Sequence, residues 1–205
     1  MRKFLKRMTG IFLCVAMAAG IYGAIPAYAE GTDTGTDIQE QAAQWPTGPA
    51  VQAASAIIMD ASTGTVLYEK DADTPRYPAS ITKIMTLLLA VENCSLKEDV
   101  VFTETGTRDI SWDSGNIGMQ VGEVMSMRAC LYALVIRSAN EVAAQIAEHV
   151  GGTEQHFVDM MNERAAQIGC TNTHFVNASG LPDPDHYSTA HDLSLIHISE
   201  PTRPY

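Results

Sequence analysis

Ser80 and Lys83 stand three residues apart in the string YPASITKIMT, residues 77–86. A serine hydroxyl is a poor nucleophile at neutral pH and needs a neighbouring base, together with a preorganised site for the oxyanion that develops. At the start of a helix this spacing puts both side chains on one face, and the Ser80 amide is among the free donors of the first turn. The chemistry that suits the pair is acyl transfer. Lysine serves as base only when burial or nearby positive charge lowers its pKa, and the surrounding Ile, Met and Leu residues favour its neutral form. Taken alone, Ser-x-x-Lys is weak, because a chain of this length contains about one by chance. The competing reading is a helix cap followed by a solvated lysine.

The elements that must position the pair can be read from patterning. Pro78 stops any helix before it, and Ser80 opens a run in which Ile81, Ile84, Met85, Leu88 and Leu89 keep helical spacing. That run is apolar almost all round, which predicts a buried central helix. Before it, AASAIIMD and TVLYEKDAD flank a turn-like Ala61-Ser62-Thr63-Gly64 and predict a β-hairpin. Leu131, Leu134 and Val135 mark a second helix ending near Ser138. A third begins at Asn140, a favourable cap, and runs to Gly151-Gly152. A fourth has Thr153 as cap, Phe157, Met160, Met161, Ala165 and Ile168 on one face, and Gly169 as its stop. THFVNASGL then reads as a strand followed by a turn. The methionines read as core.

The chain has 205 residues, 46% of them hydrophobic, enough for one domain with a true core. Arg2, Lys3, Lys6 and Arg7 precede an apolar stretch from Ile11 to Ala24, and Ala27-Tyr28-Ala29 offers small residues at the cleavage positions. Residues 1–29 therefore read as a secretory signal peptide, and the mature protein as secreted to the extracytoplasmic cell envelope. Residues 30–52, rich in Gly, Thr, Asp and Gln, read as a disordered acidic linker. A net charge of −11, more negative still without the leader, disfavours a nucleic-acid partner. Cys94, Cys130 and Cys170 are widely spaced and odd in number, which argues against a disulfide framework. No Cys/His cluster has zinc-ligand spacing, so the reading assigns no metal site. From Leu193 onward, LSLIHISEPTR resembles the translation of a sequencing-library transposase adapter. Residues 193–205 are thus expected to be non-native, with residues 53–192 forming a partial catalytic domain.

The string around Ser80 closely resembles the nucleophile motif of the serine-type D-alanyl-D-alanine carboxypeptidases, the low-molecular-weight penicillin-binding proteins of peptidase family S11. The resemblance extends from about Ala54 to Leu193, through AIIMDASTGTVLYEKDAD, GEVMSMRACLYALVIRSANEVAAQIAEHVGG and FVDMMNERAAQIGCTNTHFVNASGLPDPDHYSTAHDL. It implies an α/β (α+β) fold of the β-lactamase/transpeptidase type, a helical cluster against an antiparallel sheet, incomplete because C-terminal strands are missing. The family's second motif is Ser-x-Asn. Ser138-Ala139-Asn140 and Ser114-Gly115-Asn116 both match it, but only the former falls in a tight connection between two helices, where the family places its motif. The latter lies in a Gly-rich stretch and reads as turn chemistry.

By family analogy Ser138 relays a proton between Lys83 and the leaving amine, and Asn140 holds the substrate peptide and orients Lys83. Glu141 suits the helix N-terminus and is assigned no chemistry. A third motif, Lys-Thr-Gly, is absent from these residues and is expected on a missing C-terminal part, with the second oxyanion donor and any segment that associates with the membrane surface. The implied substrates are peptidoglycan stem peptides ending in D-Ala-D-Ala. The implied inhibitors are β-lactam antibiotics, no cofactor is called for, and the fragment by itself is expected to be inactive. A DD-endopeptidase shares all these motifs. A class A β-lactamase is disfavoured because none of Glu141, Glu148, Glu154 and Glu163 is followed by Asn in a Glu-x-x-x-Asn pattern. A catalytically dead wall-binding module is disfavoured by the presence of both Ser80 and Lys83.

Overall fold

Asp60 ties the first reversal of the chain, its Oδ1 accepting from the amides of Ser62 and Thr63 at 2.9 Å and from Ser62 Oγ at 2.6 Å. The expected hairpin forms across it. β1 (Ala56–Met59) pairs antiparallel with β2 (Val66–Lys70), Ile57 opposite Glu69, with an irregularity between Ile58 and Met59. The computed structural model describes residues 48–108 and 114–198, all within the unit Thr47–Tyr205. The leader, most of the linker, and residues 199–205 of the adapter-like tail lie outside the described residues.

After a 3₁₀ turn at Ala79–Thr82 come α1 (Lys83–Asn93), β3 (Asp99–Val101) and the single turn α2 (Glu104–Thr107). β4 (Val124–Ser126) follows and pairs antiparallel with β3, Val100 opposite Met125. The remaining helices are α3 (Met127–Ile136), α4 (Asn140–Gly151), α5 (Glu154–Ile168) and α6 (Ala190–Ile198). Neither β3 nor β4 has a sequence signal, since three residues are too few to show alternation. The helix ends follow capping chemistry: Ser126 Oγ accepts from the Ala129 amide, Thr153 Oγ1 from the His156 amide, and α5 closes at Gly169 with φ +102°.

Helices α1, α3, α4 and α5 pack their apolar faces into one core. Met85, Leu88, Phe102, Met127, Leu134, Val142, Ile146, Phe157, Met161 and Phe175 are buried there, and the buried methionines fill core positions as expected. α1 is central, with Met85, Leu88, Leu89 and Ala90 covered by its neighbours. Ile81 falls on the preceding 3₁₀ turn instead of the helix and is half exposed. On the small β1/β2 sheet, Ile58 and Leu67 are also exposed. α6 continues through Leu193 to Ile198, and Ile196 is buried; apolar residues at helical spacing pack in this way whatever their origin. Among the described residues no helix is long and apolar enough to cross a membrane.

The strand expected at THFV is absent. His174 and Tyr187 form a single antiparallel bridge. Side chains satisfy the backbone that a ladder would have used: Phe175 N donates to Asn162 Oδ1 and Phe175 O accepts from Asn162 Nδ2, both at 2.8 Å, while Val176 N donates to His186 Nδ1 at 3.2 Å. A second expectation also fails, since Ala139 and not Asn140 is the cap residue of α4. The Asn140 side chain is engaged elsewhere.

The packing predicts that Phe157→Ala, which empties a fully buried site, lowers stability by about 3–5 kcal/mol. Val135→Ala, at a residue 63% exposed, should change it by no more than about 0.5 kcal/mol. Urea denaturation of both variants checks the contrast.

Candidate active site

Pro78 leads into the 3₁₀ turn that displays Ser80 at the surface, and the α-helix proper begins at Lys83. The change of pitch lets Ser80 stay exposed while Lys83, three residues on, is only 5% exposed. Lys83 Nζ meets three oxygens: Ser80 Oγ at 3.2 Å, Asn140 Oδ1 at 2.7 Å and the Ser179 carbonyl at 2.7 Å. Two of these are carbonyl oxygens that can only accept. They therefore occupy two N–H bonds of a neutral amine and leave its lone pair toward the Ser80 hydroxyl. Burial lowers the Lys83 pKa from its ordinary 10.5 to about 8, and the Glu141 carboxylate partly opposes that shift. A lysine poised there can exchange a proton near neutral pH.

Ser138 lies in the tight connection between α3 and α4, in the left-handed region with φ +53°, which is strained for a residue other than glycine. It lines an open groove together with Ser80, Lys83, Tyr132 and Val135. Among the described residues its hydroxyl has no hydrogen bond to Ser80 or Lys83. Ser80, Lys83 and Ser138 thus border one cleft, and Asn140 joins them through its direct contact with Lys83.

The other Ser-x-Asn string has a structural place in the same site. Asn116 Nδ2 donates to the Ser114 carbonyl at 2.8 Å, which is turn chemistry. Gly115 presses against the α3–α4 connection: its carbonyl accepts from Asn140 N at 2.8 Å, and a Cβ there would fall 2.5 Å from Ser138 O. Glu141, read from the sequence as a helix-terminus acid, is 3% exposed and holds this loop from behind. Its Oε1 accepts from Ile117 N at 2.5 Å and Gly118 N at 3.1 Å, while its buried Oε2 has no hydrogen-bond partner among the described residues. From this place in the site wall the Glu141 side chain acts electrostatically on Lys83.

A third loop, residues 177–181, has only the sequence of a turn, yet it supplies one of the two carbonyls that hold Lys83. Asn177 Oδ1 knots it by accepting from Ser179 N, Gly180 N and Leu181 N at 2.7–3.2 Å. The loop is sewn to α1 by Thr86 Oγ1, which donates to Ala178 O at 2.7 Å. Nearby, His186 Nδ1 accepts an amide, so Nε2 carries the proton and donates to Thr82 Oγ1 at 2.8 Å. Burial lowers the His186 pKa and keeps the ring neutral. Gly180 lies so close to the turn before Ser80 that a Cβ would fall 1.8 Å from Ala79 O. Ala79 itself has φ +49°, so Ser80 follows a strained residue braced by this glycine. The Asn-x-Ser-Gly string is the one signal that could have pointed to this loop. Among the described residues, the one group of three metal-ligating side chains includes none of Ser80, Lys83, Ser138 and Asn140.

Comparison with known proteins agrees in sequence and in fold. A family model described as D-alanyl-D-alanine carboxypeptidase matches residues 39–200. The chain is 35% identical over 147 residues to D-alanyl-D-alanine carboxypeptidase DacF of Bacillus subtilis, covering 71% of this chain and 38% of that protein. It is likewise 35% identical over 159 residues to DacC of Escherichia coli, covering 72% of this chain and 39% of that one. The chain therefore spans about two fifths of the length of these curated relatives. Among solved structures it is similar to the DacD carboxypeptidase of Francisella tularensis, with a TM-score of 0.70 and 36% identity over 75% of this chain and 38% of that one. Penicillin binding protein 5 of Haemophilus influenzae aligns with a TM-score of 0.70 and 30% identity over 74% of this chain and 46% of that one.

Acylation of Ser80 by an activated ester should rise with pH through a midpoint near 8, because the lysine is the base only once deprotonated. Glu141→Gln, which keeps an acceptor for Ile117 and Gly118 but removes the opposing charge, should move that midpoint down; a pH–rate profile reads both. Gly180→Ala should lower stability by about 2–4 kcal/mol, as seen in urea denaturation, since the added methyl meets backbone and not a movable side chain.

Proposed function

This chain belongs to the D-alanyl-D-alanine carboxypeptidase family, and on that premise we propose that the protein is a penicillin-sensitive serine DD-carboxypeptidase of peptidoglycan stem peptides. The observation that carries the reading is the Lys83 amine, buried and held 3.2 Å from Ser80 Oγ with its pKa drawn down to about 8. Ser80 Oγ attacks the carbonyl between the two terminal D-alanines as Lys83 takes its proton. The C–N bond breaks, and the proton reaches the leaving amine through Ser138, so that free D-alanine departs. Water then hydrolyses the ester on Ser80, with Lys83 again as base.

Asn140 has two roles in this scheme. Its Oδ1 fixes the Lys83 amine, and its Nδ2, a donor, serves the substrate peptide. A β-lactam places a strained amide at the same serine and forms the same kind of ester. The leader-like residues 1–29 support a site of action outside the cytoplasm, where peptidoglycan lies.

The test uses the gene product extended to the full length of its relatives. It should release D-alanine from a stem pentapeptide and take up a fluorescent penicillin in a 1:1 ratio, and Ser80→Ala should abolish both. Equal labelling of Ser80→Ala, or rapid turnover of a chromogenic cephalosporin, would overturn the assignment. Lys83→Met should cut the acylation rate by about 10²–10⁴-fold, the usual contribution of a general base, without unfolding the protein.

A further inference from the structure

Away from the cleft, the same two helices that carry the site meet again. α1 begins at Lys83 and α4 begins at Asn140, and those two residues are in contact. The helices therefore run side by side in the same direction. About 15 Å further along, given the rise of an α-helix, Cys94 caps the end of α1 and His149 lies in the last turn of α4. Glu98, four residues past Cys94 in the turn before β3, reaches between them. One ligand atom each from Cys94, Glu98 and His149 lie within 4.8 Å of one another. Sequence spacing alone could not show this set, because His149 is 55 residues from Cys94 and only the parallel packing of α1 and α4 brings them together.

We propose that Cys94, Glu98 and His149 form a Zn²⁺ site that clamps the far ends of the two helices bearing Lys83 and Asn140. The donor set is one thiolate sulfur, one imidazole nitrogen and one carboxylate oxygen, the mixture that a borderline ion such as Zn²⁺ takes in tetrahedral geometry, with water in the fourth position. Ligand bonds of 2.0–2.3 Å put donors about 3.3–3.8 Å apart in a tetrahedron. His149 Nε2 and Glu98 Oε2 are already 3.2 Å apart, so no donor pair must close by more than about 1 Å.

The carboxylate is also oriented in advance. Glu98 Oε1 accepts from Ser95 N at 2.6 Å, which turns Oε2 toward the other two donors, as supporting contacts do around metal ligands. The Ser95 and His149 contacts hold the Glu98 carboxyl below its ordinary pKa, so it is available as an anion. Without a cation the thiol is less well served: burial and the Glu98 charge raise the Cys94 pKa, and a bound Zn²⁺ would displace that proton. Cys94 and His149 are half-buried and Glu98 is exposed, which leaves an entry path from solvent.

Titration of the purified protein with Co²⁺, a spectroscopic stand-in for Zn²⁺, tests the site. The expected result is one equivalent bound with a thiolate-to-cobalt charge-transfer band, displaced by Zn²⁺, and a rise in Tm on adding Zn²⁺. Cys94→Ser should abolish the band and Cys170→Ser should leave it intact, while His149→Gln and Glu98→Gln should each weaken affinity at least about tenfold. Absence of a stoichiometric band, or its survival in Cys94→Ser, overturns the proposal. If Cys94→Ser loses its native circular dichroism, the Glu98 and His149 variants decide: wild-type affinity in both overturns the site.

Discussion

Much of this structure depends on one polar group held in an apolar place, the Lys83 amine. An ammonium removed from water is costly, and the protein offsets that cost with Asn140 Oδ1 and the Ser179 carbonyl. The residual imbalance is useful, because it is what brings the lysine into a range where it can act as a base toward Ser80. Each acceptor comes from a different part of the chain. The α3–α4 connection and the loop at 177–181 must both be in register with α1 before the lysine can be accommodated.

That requirement explains why so much of the surrounding backbone is tightly specified. Ala79 and Ser138 both have left-handed dihedrals that non-glycine residues avoid, and each is pinned by a glycine that leaves no room for a side chain, Gly180 against Ala79 and Gly115 against Ser138. Glu141 secures the Gly115 loop from within the wall, and Asn177 secures the Gly180 loop. The two braces are alike in kind: a single side-chain oxygen gathers several amides that no regular element would otherwise satisfy. Strain at Ala79 and at Ser138 is therefore sustained by neighbouring turns, not by the helices that carry Lys83 and Asn140. The parallel run of α1 and α4 transmits the same registration to their far ends, where Cys94, Glu98 and His149 converge.

The sequence was most legible where chemistry and periodicity are local. The hairpin across Asp60–Gly64, the capped start of α5, the glycine stop at Gly169 and the burial of Phe157 and Met161 follow from residues within one or two turns of each other. It was least legible where a distant partner overrode a local preference. THFV has the composition of a strand, but Asn162 on α5 takes up the Phe175 backbone. Asn140 is a good cap by type, yet its side chain is drawn to Lys83, and Ala139 stands at the cap position instead. Glu141 looked like an ordinary acid of a first helical turn, and its burial could not be foreseen without the loop that covers it.

Residue type and spacing by themselves singled out Ser80 and Lys83 as one of the pairs a chain of this length contains by chance; it was the resemblance of the flanking string, with helix boundaries that are continuous in the chain, that gave the pair its reading and favoured Ser138-Ala139-Asn140 over Ser114-Gly115-Asn116. Tertiary structure alone decided that Lys83 is buried, which carbonyls hold it, that Gly115 and Gly180 must lack side chains, and that a cysteine, a glutamate and a histidine from two helices share one corner. The physical reason is the same in each case. Burial, close approach and electrostatic coupling act through space between residues up to about a hundred positions apart, such as Lys83 and Ser179, which |i−j| of 96 separates, and no local pattern encodes that distance.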